Sequence, residues 1–212
     1  MREIFKLFGV LTAVCFVAAL ALALVHNLTK QPIIRQRRLK VMRALSAVLP
    51  PFDNEPDKEV LCLSAESDVQ GHKGPITFYL GREGGHLKGL AFKVSSKEGF
   101  GGNIEMMMGV TPDGEITGIE ILSMAETPGL GARINSPEYK AVFKHKALTN
   151  VKWALKKDGG DIDQITGASI SSRAVVAALK RGLEFFKNNY RKLDIQEKDG
   201  TREELENAEV FQ

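Results

Sequence analysis

Residues 7–25 run for 19 positions without a charged side chain, and nothing else in this chain limits its fold so severely. As a helix that stretch is roughly 28 Å long, the thickness of the hydrocarbon layer of a bilayer. The reading is a single membrane-spanning anchor over residues 1–26. A cleaved signal peptide is the competing reading, with Arg2 and Lys6 as a basic start and Ala21, Leu22 and Ala23 as a small-x-small cleavage site. Its apolar core is shorter than this run as a rule, so the anchor is preferred. Cys15 follows Val14, where a lipid-attachment signal wants a small residue, so no lipid anchor is expected there.

Three further segments follow. Residues 27–58 read as an amphipathic stalk or linker: Leu39, Met42, Leu45 and Leu49 recur every three or four positions among basic side chains, and Pro50-Pro51 ends the pattern. Such a helix lies on lipid headgroups, packs on a neighbouring subunit or serves as plain structural packing. Residues 59–190 hold about 130 positions, enough for one ordinary core. Residues 191–212 are charged and short of aromatics, the composition of a frayed tail. The net charge of +3 is small for 212 residues, and no Lys/Arg cluster alternates with aromatics, which argues against a nucleic-acid partner.

The two cysteines, Cys15 and Cys62, lie one in the anchor and one in the domain, so no disulfide framework is available. Cys62 reads as a small buried apolar residue. The absence of Cys-x-x-Cys removes the common iron-sulfur and c-type haem attachments from this chain. His26, His72, His86 and His145 match no metal-ligand spacing, and no metal is assigned.

From Pro75 the hydrophobic period changes from three or four to two. Strands are predicted over 76–80 and 87–94, joined by the glycine-rich 81–85, then over 104–110 and 116–122 around a Pro112-Asp113-Gly114 turn. Four consecutive strands imply an antiparallel meander. Met106-Met107-Met108 reads as core filler. Ser136-Pro137 carries N-cap and first-turn chemistry for a short helix bearing Tyr139, Val142 and Phe143. Residues 151–155 read as a further strand, turned by Asp158-Gly159-Gly160-Asp161. Val175, Leu179, Gly182, Leu183 and Phe186 then fall at helical spacing. The fold class is α+β: an N-terminal transmembrane helix followed by an antiparallel-sheet domain with packed helices.

Just before that last helix stands Asp163-Gln164-Ile165-Thr166-Gly167-Ala168-Ser169, which puts a hydroxyl at a helix N-terminus. Unpaired amides and the positive end of the helix dipole stabilise a phosphate held there. Gly167 and Ala168 leave the backbone open to a bulky ligand. The bland alternative is an ordinary helix cap by Thr166 or Ser169, worth about 1 kcal/mol. A second element, Glu126-Thr127-Pro128-Gly129-Leu130-Gly131, reads as a type II turn that fixes Leu130 on a loop. Gly99-Phe100-Gly101-Gly102 is either a flexible loop or an aromatic residue set against a ligand ring.

Taken together and in this order, the two motifs resemble the FMN-binding domain of RnfG, from the Rnf ion-translocating ferredoxin:NAD oxidoreductase, and of its relative NqrC, from the sodium-translocating NADH:quinone reductase. The resemblance spans roughly residues 5 to 190 and makes 59–190 an FMN-binding domain. It implies FMN joined covalently by a phosphoester to Ser169, with Asp163, Thr166, Gly167, Ala168, Glu126, Thr127, Leu130 and Gly131 around it. The family's usual last motif residue is Thr; Ser supplies the same hydroxyl without the methyl group. It also implies a separate flavin transferase that uses FAD, so Ser169 needs no neighbouring base, in keeping with the lack of a nearby His.

The implied function is electron relay by a subunit that is not catalytic alone, within a redox-driven ion translocase, with the other membrane subunits of that Rnf complex, the transferase and membrane lipid as partners. The implied location is the bacterial inner membrane, single-pass, with the FMN domain outside the cytoplasm. Charge counting points the other way, since Lys30, Arg35, Arg37, Arg38 and Lys40 follow the anchor against Arg2 and Lys6 before it; long domains, however, cross largely regardless of charge. The rival functions are that of NqrC in the quinone reductase, a tethered FMN sensor or assembly module without turnover, and an anchored domain in which the hydroxyl merely caps a helix.

Overall fold

The apolar N-terminal run is helical, but the helix does not stop where the basic residues begin. In this computed structural model, which describes residues 2–65, 69 and 74–210, α1 is continuous over Arg2–Val48 with Pro32 inside it. It contains one stretch long and apolar enough to cross a membrane. Val10, Leu11, Val14, Phe16, Val17 and Leu20 are all exposed, so the stretch is apolar on every side, as a lipid-facing helix is and a surface helix of a soluble domain is not. The chain divides into two units within this helix, Met1–Val41 and Met42–Gln212. His72 lies outside the described residues.

The second unit is built on a five-stranded sheet of β1 (Val60–Ala65), β2 (Gly74–Glu83), β3 (His86–Ser96), β4 (Ile104–Val110) and β5 (Ile116–Ser123). The strands lie in sequence order and every pair is antiparallel. The expected meander is therefore present, with one strand more at its edge. β1 escapes a period-two reading because Val60, Leu61, Cys62 and Leu63 form an unbroken apolar run. Its Cys62, expected to be buried, is exposed: on an edge strand it stands beside Thr77, with Sγ 3.9 Å from Oγ1. The β2–β3 connection is also tighter than the glycine run 81–85 suggests. Only Gly84 and Gly85 leave the ladder, with φ of 59° and 78°, the two-residue turn that matches strand twist.

Residues 151–155 do not form the strand that their composition suggests. Only Leu155 pairs, in an isolated parallel bridge to Ile162. Asp161 accepts the Lys152 amide (2.7 Å) and Ala147 accepts the Trp153 indole N–H (3.0 Å), folding the segment on itself. The short helix does form: α2 (Pro137–Ala141) is capped by Ser136, whose hydroxyl accepts from Tyr139 N. The final helix, α3, runs over Ser169–Val210. It continues through the expected tail, where half of residues 191–210 are Lys, Arg, Glu or Gln, good helix formers, and no proline stops it.

Register sorts the side chains of the sheet onto two faces. Phe78, Leu90, Phe92, Val94, Met106, Met108, Val110, Ile116, Ile119 and Ile121 share one face and are buried in a single cluster with Val175, Leu179, Leu183 and Phe186 of α3. The helical spacing was thus a true core signal. Phe78 stacks on Phe185 and Phe92 on Phe186, each at 6.3 Å between ring centroids. Gly182 permits this approach, since a Cβ there would lie 2.7 Å from both Met108 and Val94 side chains.

On the opposite face the sheet presents glycines. Gly81 pairs with Gly89 and Gly109 with Gly118, and the end of α1 with Leu49 and Pro50 lies on all four. A Cβ at Gly109 would collide with the Val48 carbonyl, to which Thr117 Oγ1 donates a hydrogen bond. Ala44, Leu45, Val48 and Leu49 are buried there. Burial of the three larger side chains contributes about 1.5–3 kcal/mol each, so this last turn of the helix packs on the domain's own sheet.

The glycine contacts are graded, and stability should follow the grading. Gly109→Ala is expected to cost at the upper end of the roughly 1–3 kcal/mol typical of overpacking, because backbone must move. Gly118→Ala, whose Cβ would lie 3.1 Å from the Ala47 carbonyl, should cost clearly less. Equilibrium urea unfolding of the two variants measures the difference; equal costs would mean that α1 does not pack this closely.

Candidate functional site

Three segments converge beside the first turn of α3. Gly99 to Gly102 leads into β4, the loop 126–131 leaves β5, and residues 163–168 lead into α3. The side chains and backbone of Phe100, Glu126, Thr127, Leu130, Gly131, Gly167, Ala168, Ser169, Ile170 and Ser171 line an open cavity of about 300 Å³. Seven of the nine residues expected at the site are thus brought together. Asp163 and Thr166 are not among the lining residues. Asp163 is exposed and pairs with Lys156, Nζ lying 2.7 Å from Oδ1 and 2.8 Å from Oδ2.

The loop 126–131 has the expected turn. Leu130 N donates to Thr127 O at 3.2 Å, and Gly129 at the third position has φ of 76°, which together fit type II. Gly167 likewise has φ of 81°, a left-handed conformation that glycine adopts without steric cost. It turns the chain from the loop into the helix, where Ala168 N donates to Ile165 O (3.0 Å).

The helix then starts without a cap. Ser172 N is the first amide to enter the ladder, donating to Ala168 O at 3.0 Å. Ala168 occupies the cap position and has no side-chain oxygen to offer. The amides of Ser169, Ile170 and Ser171 precede the ladder, as the first amides of any helix do, and all three residues line the cavity. Neither Thr166 nor Ser169 acts as the cap: Ser169 is the first helical residue, and no hydrogen bond involves either hydroxyl among the described residues. The serine that does bond locally is Ser172, whose Oγ accepts from Ile165 N (3.2 Å) and whose carbonyl accepts from the Tyr139 hydroxyl (3.5 Å).

Glu126 faces inward. It is only 7% exposed, with Oε1 accepting from Gly101 N (3.1 Å) and Oε2 from the Ser171 hydroxyl (2.6 Å). One carboxylate therefore joins all three walls of the cavity. The glycines around it leave it room: a Cβ on Gly99 would lie 2.5 Å from Oε1, and one on Gly131 would collide with Oε2 and come within 2.9 Å of Ser171 Oγ. No lysine or arginine pairs with Glu126 among the described residues, so two neutral donors and the helix N-terminus compensate its charge. The rim is apolar, with Phe100 69%, Leu130 50% and Ile170 48% exposed.

Sequence reasoning missed Ile170, Ser171 and Ser172. Three serines occur in the four positions 169–172, and only the first was read; the pairing of Ser171 with a residue 45 positions away has no local signature. Phe100 was noted as an aromatic between glycines, and its ring does stand at the cavity.

Comparison with known proteins bears on what this cavity is for. Residues 99–184 match the FMN-binding domain family, which takes in all three walls. G subunits of ion-translocating oxidoreductase complexes are similar along most of the chain. That of Aliivibrio fischeri ES114 is 34% identical over 200 residues, covering 91% of this chain and 95% of that protein. That of Shewanella loihica is 33% identical over 200 residues, covering 91% and 93%. That of Photorhabdus laumondii is 36% identical over 166 residues, covering 75% and 78%. Among solved structures, the C subunit of the Na(+)-translocating NADH-quinone reductase from Parabacteroides distasonis superposes with a TM-score of 0.56 at 19% identity, covering 76% of this chain and 94% of that one. NqrC of Shewanella oneidensis gives 0.50 at 21%, covering 68% and 75%. At these identities the structural likeness speaks for the fold.

Tyr139 offers a probe of how the site's base is packed. Burial pushes its phenol from the ordinary 10.0 up to about 12. Because the folded state holds this proton more tightly, the stability it contributes is intact below pH 10 and is lost between pH 10 and about 12. Tyr139→Phe should flatten that part of the stability profile, measured by urea unfolding across roughly pH 9–12. An unchanged slope would mean the phenol is solvated.

Proposed function

The chain belongs to the RnfG family, the G subunits of ion-translocating oxidoreductase complexes, and from that premise we propose that it is a membrane-anchored electron carrier with FMN esterified to Ser169. The observation that carries the reading is the uncapped start of α3. The first three amides of α3 lie outside the helical ladder at the positive end of its dipole, and their residues line a cavity at the one hydroxyl in the motif that is both helical and unbonded.

The residues present fit the group. The phosphate needs donors and finds the amides of Ser169, Ile170 and Ser171; the apolar ring system needs apolar neighbours and finds Phe100, Leu130 and Ile170 at the rim. Gly167 and Ala168 keep the backbone approachable, Glu126 holds the walls, and Thr127, Leu130 and Gly131 form the opposing loop. Thr166 and Asp163 do not reach the cavity lining, so their part is in recognition of the motif by the transferase. In that transfer, Ser169 Oγ bonds to the flavin-side phosphorus of FAD, the phosphoanhydride bond to AMP breaks, and the serine proton leaves with the AMP product or the transferase's base. Once bound, FMN supplies one-electron redox chemistry.

Residues 7–25 anchor the protein in the inner membrane with the FMN domain outside the cytoplasm, where a covalent bond keeps the cofactor from diffusing away. Its partners are the other membrane subunits of the Rnf complex, the flavin transferase and lipid. No charged residue interrupts 7–25, so this helix provides no ion path, and ion movement falls to other subunits. A role as NqrC in the quinone reductase is the less favoured reading, since relatives that match over nine-tenths of the chain are G subunits of the ion-translocating oxidoreductase complex.

Intact-mass and peptide spectrometry of protein isolated from its own cells should find FMN on the peptide containing Ser169. Ser169→Ala should abolish the adduct, Ser169→Thr should keep it, and Thr166→Val should lower its yield. A covalent flavin retained in Ser169→Ala overturns the assignment.

A further inference from the structure

Nothing in the motif explains why a buried carboxylate should bond to a serine two places beyond Ser169. Successive residues of a helix are turned by about 100° about its axis, so Ser171 and Ser169 project about 200° apart. Ser171 is 1% exposed and tied to Glu126 Oε2 at 2.6 Å. With Ser171 tied to Glu126, the rotational phase of the first turn is set, and Ser169, half-buried, lines the same cavity with no hydrogen bond to its hydroxyl among the described residues. The other Glu126 oxygen holds Gly101 N on the facing loop at 3.1 Å, and Gly131 packs against both members of the pair.

We propose that Ser171 and Glu126 are a positioning pair for flavin attachment: their hydrogen bond locks the first turn of α3 to both loops and so presents Ser169 Oγ to the transferase in reactive geometry. The inference rests on Ser169 as the attachment point. Neither residue touches the reacting atoms; the pair acts through the orientation of Ser169. What it requires is the hydrogen bonds rather than the negative charge. Glutamine meets that requirement, since its carbonyl accepts from Gly101 N and its amide donates to Ser171 Oγ, whereas alanine at either position breaks the link.

The test follows flavin incorporation into full-length protein in detergent, with the transferase and FAD, by in-gel fluorescence and intact mass, while thermal unfolding is recorded in parallel. Ser171→Ala and Glu126→Ala should each lower the kcat of modification at least about tenfold, with the KM for the acceptor protein changed less than about threefold. Glu126→Gln should stay within about threefold of wild type in both. Loss through misfolding would instead appear as a reduced fraction of competent acceptor at an unchanged rate, and this result overturns the proposal, as does Ser171→Ala modified at the wild-type rate. Glu126→Gln as slow as Glu126→Ala also overturns it, by assigning the effect to charge. A wild-type chain that takes up no flavin at Ser169 removes the attachment reading itself, and is told apart from the other failures because no variant is needed to see it.

Discussion

The burial of α3 on the core face of the sheet is the constraint on which the rest depends. Val175, Leu179, Leu183 and Phe186 are almost wholly inaccessible, and stacking of Phe185 and Phe186 on Phe78 and Phe92 fixes the helix along β2 and β3. A helix held along one side can neither slide nor rotate without opening the core, because interiors are close-packed. The helix axis is therefore fixed by the core, and its first turn, where burial gives way to the cavity, is tied to the neighbouring loop by the Ser171–Glu126 hydrogen bond.

The sheet is held from its other side by a different device. Where α3 meets large side chains, the end of α1 meets glycine, and the backbone of Val48 comes close enough to receive the Thr117 hydroxyl. The two faces thus use opposite solutions to the same packing problem, bulk against bulk and backbone against backbone. The sheet between them carries both loops of the cavity, one entering β4 and one leaving β5. Neighbouring strands keep those loops adjacent, since strands pair about 4.8 Å apart.

Much of this was legible in the sequence wherever a single local pattern governs the outcome. Alternation located β2 to β5, helical spacing named the buried face of α3, and Pro128-Gly129 gave the turn. What was not legible depends on partners distant in sequence. The edge strand β1 lacks alternation because its exposed positions, Val60 and Cys62, are themselves apolar. Residues 151–155 have a strand's composition but spend their hydrogen bonds on a local fold. Gly89, Gly109 and Gly118 lie inside predicted strands with no signal of their own, and with Gly81 they become a surface only when register brings them together. In the site, Ser169, Gly167 and Glu126 stood out by motif, whereas Ser171 acquires a role only from the fold, which carries Glu126 to it across 45 positions.

The form of the cavity gives a physical reason for a covalent bond if FMN is what it holds. At about 300 Å³ it is at the small end of ligand pockets, which bury most of a bound molecule, and its apolar rim is open. The anion site relies on backbone amides and a helix dipole, each contribution being of the order of 1 kcal/mol, and a like-charged side chain, Glu126, lines the same cavity. Free FMN would have few means of staying. Closing the cavity would supply affinity, but it would also bury the ring of a carrier proposed to exchange electrons with other subunits. The proposed phosphoester at Ser169 would remove that conflict, because a tether keeps the local concentration of the group high without any added contact. Retention is then assigned to one bond, and the exposed Phe100, Leu130 and Ile170 can border the ring without enclosing it.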